Sequence, residues 1–177
     1  YMDTNLISLK KKKLTCVIHD LIPERFPKYF RNTDVYSKKK KELIQKSNRI
    51  ITVSNTTKND LVKYYNASDY KIEVIYPPID TFSKPIIEKI SLPERFIIYV
   101  GNRHGYKNFN YVLRLLREHL KKNDIKLLCV GGESLSKFEK KYLLENNLEN
   151  FFIHIKLNDH QLNYAYQNAL YFIFPSL

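Results

Sequence analysis

Glycine is scarce in this chain, with four residues in 177. Each therefore marks a turn that a side chain would obstruct. They stand at Gly101, Gly105, Gly131 and Gly132. Cysteine is nearly absent: Cys16 and Cys129 each lie inside an apolar, strand-like run. That pattern excludes a disulfide framework or a thiolate metal pair and reads as two buried free thiols in a reducing cytoplasm. No apolar run approaches the ~20 residues that a membrane-spanning helix needs. The first residues carry no signal-peptide pattern, so any membrane association is expected to be peripheral. Acidic side chains are also in deficit, 18 against 30 basic ones, for a formal net charge of +12.

What is present argues for a folded protein. Hydrophobic residues make up 44% of the chain, with 14 Tyr and 10 Phe, enough for a core and too many for a disordered segment. The length suits one ordinary domain or two small ones. Much of the positive excess sits in two runs, Lys10 to Lys13 and Lys38 to Lys41. Such charge suits nucleic acid, an anionic bilayer or phosphorylated small molecules, and equally a lysine-rich solvated surface. The chain has no recognised DNA- or RNA-binding module. Its aromatics are expected mainly at core-facing positions, so no nucleic-acid partner is expected.

Strand-like and helical segments alternate along the chain. LTCVI (14–18), RIITVS (49–54) and KIEVIY (71–76) read as strands, SKKKKELIQKS (37–47) as a helix, and Ser54 as the cap of a helix over NTTKNDLVKYYN. After the break at Pro77 and Pro78 the rhythm resumes. RFIIYVG leads to a helix from about Asn110, with Val112, Leu113, Leu116 and Leu120 on one face. IKLLCVGG (125–132) precedes a helix over 137–146, FFIHI (151–155) one near 161–168, and LYFIFPS (170–176) is a last strand. Apolar strands spaced by helices predict an α/β fold with doubly wound parallel sheets covered on both faces. The expected division is a first Rossmann-like unit at 1–76, a linker at 77–92 and a second unit at 93–177. Both units look incomplete, as in an internal piece of a longer protein.

The segment YVGNRHGYKNF (99–109) carries the clearest chemistry. In an open parallel sheet, ligands gather beyond the carboxyl ends of the strands. This turn sits at such an end and opens a helix, whose N–H groups favour anions. Gly101, Asn102 and Gly105 offer backbone for close approach, Arg103 a fork for phosphate oxygens, and Lys107 a point charge. It is neither a G-x-G-x-x-G fingerprint nor a Walker loop, and the residues alone fit a solvated turn as well as a diphosphate cradle.

VGNRHGYKNF, taken with CVIHDLIPERFPKYF, RIITVSNTTKNDLVKYY, KIEVIYPPID and AYQNALYFIFPSL, resembles the family 4 glycosyltransferases of GT-B fold. The likeness is strongest to the bacterial mannosyltransferase-like branch that builds surface polysaccharide. It implies two facing Rossmann-like domains, the second holding a nucleotide diphosphate sugar and the first helping to hold a glycan or lipid-linked acceptor. The implied reaction is retaining transfer of a hexose such as mannose, with no cofactor and no metal. On this resemblance Arg103 and Lys107 grip the donor diphosphate, and alanine at either weakens binding by roughly 1–3 kcal/mol. His19 faces the donor sugar, while Asp20 either orients that ring or caps the next turn. Gly131, Gly132 and Glu133 either shape the nucleotide pocket or form a plain turn. Ile155, Lys156 and Leu157 follow the strand whose backbone meets the nucleobase in relatives. Relatives continue past Phe-Pro-Ser into a Glu-Gly-Phe-Gly turn and a second glutamate. The chain ends at Leu177, so by itself it is expected to be inactive, with a nucleotide-binding module as the alternative. His104 lies within the turn; His119, His154 and His160 receive no role. The expected location is the cytoplasm, with peripheral contact to an anionic inner membrane face left open.

Overall fold

The computed structural model describes residues 13–31, 33–78 and 86–177. Lys10 to Lys12 of the first lysine run and positions 79–85 of the expected linker lie outside the described residues. The chain forms two compact units, Tyr1–Asp80 and Thr81–Leu177.

The first unit contains β1 (Thr15–Ile18), α1 (Ile22–Arg25), α2 (Thr33–Lys46), β2 (Arg49–Thr52), α3 (Asn55–Tyr65) and β3 (Ile72–Val74). The strands form one parallel sheet in the order β1-β2-β3, with Cys16 opposite Ile50 and Ile50 opposite Ile72. These three join Ile18, Leu21, Ile44 and Leu61 in one core cluster. Full burial of a side chain such as Leu61 contributes about 1.5–3 kcal/mol. Ser54 caps α3 as the sequence predicts, its hydroxyl accepting from Thr57 N at 3.1 Å. In β1 burial alternates, and Val17 is 52% exposed. Among the described residues the face that bears Val17 is therefore less covered than the one facing the core cluster. α2 begins at Thr33, earlier than expected, and α1 is a short turn opened by Pro23 that the periodicity did not reveal.

The second unit contains β4 (Phe96–Val100), α4 (Phe109–Asn123), β5 (Lys126–Val130), α5 (Lys137–Glu145), β6 (Phe152–Ile155), α6 (Asp159–Asn168) and β7 (Tyr171–Phe172). All pairings are parallel, in the order β6-β5-β4-β7. This sheet is buried on both faces. Ile97, Tyr99, Leu127 and Cys129 pack with Val112, Leu113 and Leu120 of α4 and Leu143 of α5. The alternate residues Phe96, Ile98, Leu128 and Val130 pack with Ala165 and Leu162 of α6. Near-continuous apolar strands follow from that double burial.

The chain steps outward from β4 to β5 and β6, then crosses back to place β7 on the other side of β4. The order reverses between β4 and β7, and the carboxyl ends of those two strands define a switch-point crevice. Ahead of β4, residues 86–92 lie against this unit. Glu88 accepts from Asn158 Nδ2 at 3.0 Å and Gln161 Nε2 at 2.7 Å, and Leu92 packs beside the α6 cluster.

Two surface expectations also change. Many aromatics are exposed, among them Tyr36 at 63%, Tyr70 at 86% and Phe174 at 58%, so core-facing aromatics do not dominate. Small helices and short strands leave too little interior for 24 rings (14 Tyr and 10 Phe). Within the second lysine run, Lys40 turns inward to Glu24 at 2.8 Å, while Lys38, Lys39 and Lys41 stay in solvent.

Candidate functional site

Four turns converge at the carboxyl edge of the second sheet: 101–108 after β4, 131–136 after β5, 156–158 after β6 and 173–177 after β7. The first and last meet directly at the switch point. Leu177 N donates to Tyr106 O at 3.0 Å, and Asn108 Nδ2 donates to Pro175 O at 3.4 Å. Lys107 is half-buried between them, its Nζ 4.6 Å from the Phe174 ring centre and 5.1 Å from that of Tyr106. Aromatic faces attract the ammonium without neutralising it. Among the described residues no carboxylate lies within ion-pair distance of it. On the β7 side the Ser176 hydroxyl is buried without a hydrogen-bond partner among the described residues.

α4 opens beside Lys107 in an unusual way. Its N-cap Asn108 is left-handed (φ 56°) and gives the helix no side-chain cap. By contrast Ser54, Ser136 and Asn158 cap α3, α5 and α6. The amino end of a long helix thus keeps its partial positive charge next to a lysine at the crevice, a setting that favours an anion.

Arg103 departs from the sequence expectation. Its side chain is 1% exposed and points into the protein, with Nε 2.8 Å from Oε1 of Glu139. Nη1 donates to Gly131 O at 3.3 Å and Nη2 donates to Glu133 O. The guanidinium also lies 5.8 Å from the centre of the buried Phe109 ring. Arg103 and Lys107 therefore do not converge on one pyrophosphate, because three donor atoms of the Arg103 fork are already engaged inside. The apolar layer beneath the turn and the buried Glu139 draw it in, and neither is visible as proximity in sequence.

Glu139 is not among the expected site residues, although Ser136-Lys137-Phe138-Glu139 has the capping-box spacing that could have found it. Oε2 accepts from Ser136 N at 2.7 Å while Oε1 takes the arginine. Burial pushes the carboxyl up, but the hydrogen bonds from Ser136 and Arg103 outweigh that and hold it below the usual carboxylate range.

The other expected site residues divide by unit. Gly101 (φ 104°), Gly131 (φ 76°) and Gly132 (φ 70°) occupy backbone conformations that favour glycine. A Cβ at position 132 would fall 2.8 Å from Gly101 O, so the β4 and β5 turns touch through bare backbone. Asn102 O accepts from Tyr99 Oη at 2.7 Å, and burial pushes that phenol up to about 12. His104 and Glu133 are exposed, with Nε2 and Oε2 3.7 Å apart; Gly105 is exposed and also left-handed. Ile155 O accepts from Gly131 N at 2.9 Å, Leu157 packs inward and Lys156 is exposed. His154, which had no expected role, sets its Nε2 2.9 Å from Gly131 O. In the first unit His19 and Asp20 follow β1 and are exposed. Thr57 Oγ1 donates to His19 O at 3.1 Å, which fixes the backbone there. Asp20 Oδ1 accepts from Ile22 N at 3.1 Å, so it caps the next turn, one of its two expected roles.

Comparison with known proteins places this geometry in a family. The chain is 22% identical over 187 aligned positions to the O-antigen chain mannosyltransferase RfbU of Salmonella typhimurium, covering 97% of this chain and 52% of that protein. It thus spans about half the length of the curated relative it matches. Among solved structures it superposes on TarM of S. aureus, bound to fondaparinux, alpha-GlcNAc-glycerol and UDP, with a TM-score of 0.58 at 18% identity, covering 86% of this chain and 30% of that one. HepE of Anabaena, bound to UDP and glucose, gives 0.62 at 13% identity, over 84% of this chain and 42% of that one. These likenesses show the GT-B fold. Residues 4–82 match the Glycosyltransferase Family 4 model and residues 81–177 match the Glycosyl transferases group 1 model, and the chain belongs to this glycosyltransferase family.

Proposed function

We propose that the switch-point corner of the second unit holds the diphosphate of a nucleotide sugar. In this reading the parent enzyme is a retaining transferase that moves a hexose, mannose being the favoured case, to a lipid-linked or polysaccharide acceptor. The observation that carries it is the uncapped amino end of α4 beside Lys107. Charge grows on the diphosphate leaving group as the glycosidic bond breaks, and a fixed ammonium with helix N–H groups stabilises it. In this reading protein groups rather than a metal ion meet that charge. RfbU is named as a mannosyltransferase, and HepE was solved with UDP and glucose, which supports the donor class.

Arg103 acts in this reading from behind the pocket wall, not on the phosphates. The exposed ring of His19, on a pinned backbone in the first unit, suits hydrogen bonding to a sugar. The exposed Lys38, Lys39, Lys41 and Lys46 on α2, beside Val35 and Tyr36, rest on anionic headgroups at the cytoplasmic membrane face.

The test is calorimetric titration of the full-length protein with UDP-, GDP- and ADP-sugars, with transfer assayed in parallel. Saturable binding of one of them supports the reading, and binding of none defeats it. For the membrane contact, co-sedimentation with anionic vesicles should fall steeply as salt rises. Salt-insensitive behaviour would contradict that part alone.

A further inference from the structure

The structure assigns Arg103 and Glu139 a shared role, in which the buried pair positions the β5–α5 turn as the preformed nucleotide-facing wall of the pocket. Glu139 acts through Arg103 and through the turn backbone, so it is a positioning residue. This inference rests on the sugar-nucleotide reading of the same site.

The geometry makes the case. One oxygen of Glu139 closes the Ser136 capping box at the start of α5, and the other holds Arg103 Nε. The fork of Arg103 then reaches two carbonyls of the turn, Gly131 O and Glu133 O. With both carbonyls drawn inward, the peptide planes of the turn are fixed from below. His154 binds Gly131 O from the β6 side at 2.9 Å, a third constraint on the same peptide. The bare contact of Gly132 with Gly101 O then ties this turn to the β4–α4 turn. Both side chains are sealed, at 1% and 3% exposure, so the pair has no direct access to ligand. Its effect on binding must pass through backbone placement. A turn held in one shape lowers the ordering cost that a ligand otherwise meets on binding.

The experiment separates positioning from bulk stability. Breaking a buried pair by removing one partner destabilises the fold, whereas replacing both by apolar side chains of similar volume is often neutral or stabilising. Full-length wild type, Glu139→Gln and the double variant Arg103→Met with Glu139→Leu are compared for thermal midpoint, for UDP and GDP affinity at 25 °C, and for amide hydrogen exchange over 131–135. The double variant should recover most of the midpoint lost in Glu139→Gln. It should still bind the preferred nucleotide at least tenfold more weakly than wild type and exchange faster in the turn. Wild-type affinity and exchange in a stable double variant would overturn the positioning role and leave the sugar-nucleotide reading standing. Failure of wild type to bind either nucleotide, together with no binding of an ADP-sugar, would overturn that reading, and this inference with it.

Discussion

The Nε of Arg103 lies 2.8 Å from Oε1 of Glu139, and both side chains are all but closed to solvent. This ion pair joins the turn after β4 to the first turn of α5. Removing one partner leaves an uncompensated buried charge, which costs about 3–5 kcal/mol. Arg103→Met alone should therefore lower the urea midpoint markedly, and a midpoint within error of wild type would contradict the pairing.

The same pair makes stability depend on acid. The folded-state carboxyl of Glu139 sits below the usual range, so the unfolded chain binds its proton first as pH falls. Its stabilising contribution is complete above the unfolded glutamate value of about 4.3 and is lost as pH drops through the lower folded value. Denaturation midpoints measured from pH 6 to pH 3 should fall for wild type, and Glu139→Gln should show a shallower slope over that window.

Two glycine substitutions should differ in cost. At Gly101 an added Cβ meets nothing within 4 Å among the described residues, leaving the backbone penalty of φ +104°. At Gly132 it meets Gly101 O at 2.8 Å in addition to a left-handed backbone. Gly101→Ala should cost about 1–2 kcal/mol and Gly132→Ala more, since the clash is with backbone that cannot swing aside. Equal midpoints for the two variants would contradict the contact.

Both thiols should be silent in the folded protein. Cys16 and Cys129 are 6% and 0% exposed, and burial pushes each thiol above its ordinary value. A disulfide reagent at pH 8 should label them only as fast as the units open. Rapid stoichiometric labelling without denaturant would show that one of these strands is not packed as described.

Much of the fold is legible in the sequence because it rests on periodicity. The apolar runs at 96–100 and 126–130 are strands in place, and Val112, Leu113 and Leu120 line one face of α4. The short β7 shows the limit: LYFIFP (170–175) carries no charged residue and is largely apolar, yet only Tyr171 and Phe172 pair, both exposed. The turns at the carboxyl edge of the second sheet were legible as places and not as a geometry. Gly101, Gly131 and Gly132 marked the turns, and Lys107 stands at the crevice. The inward course of Arg103 depends on a partner 36 residues away that becomes a neighbour only when β5 and α5 fold beside β4. Thr57 at His19 O and His154 at Gly131 O are likewise products of parallel strand register.

The most direct test of the account is the affinity of the full-length protein for its preferred nucleoside diphosphate before and after Lys107→Ala, measured by calorimetry. Charge-assisted contact to the diphosphate predicts one-to-one binding weakened by about 1–3 kcal/mol, roughly 5- to 150-fold, with the thermal midpoint nearly unchanged. Unaltered affinity in a folded Lys107→Ala variant would contradict the placement of the diphosphate at the α4 corner.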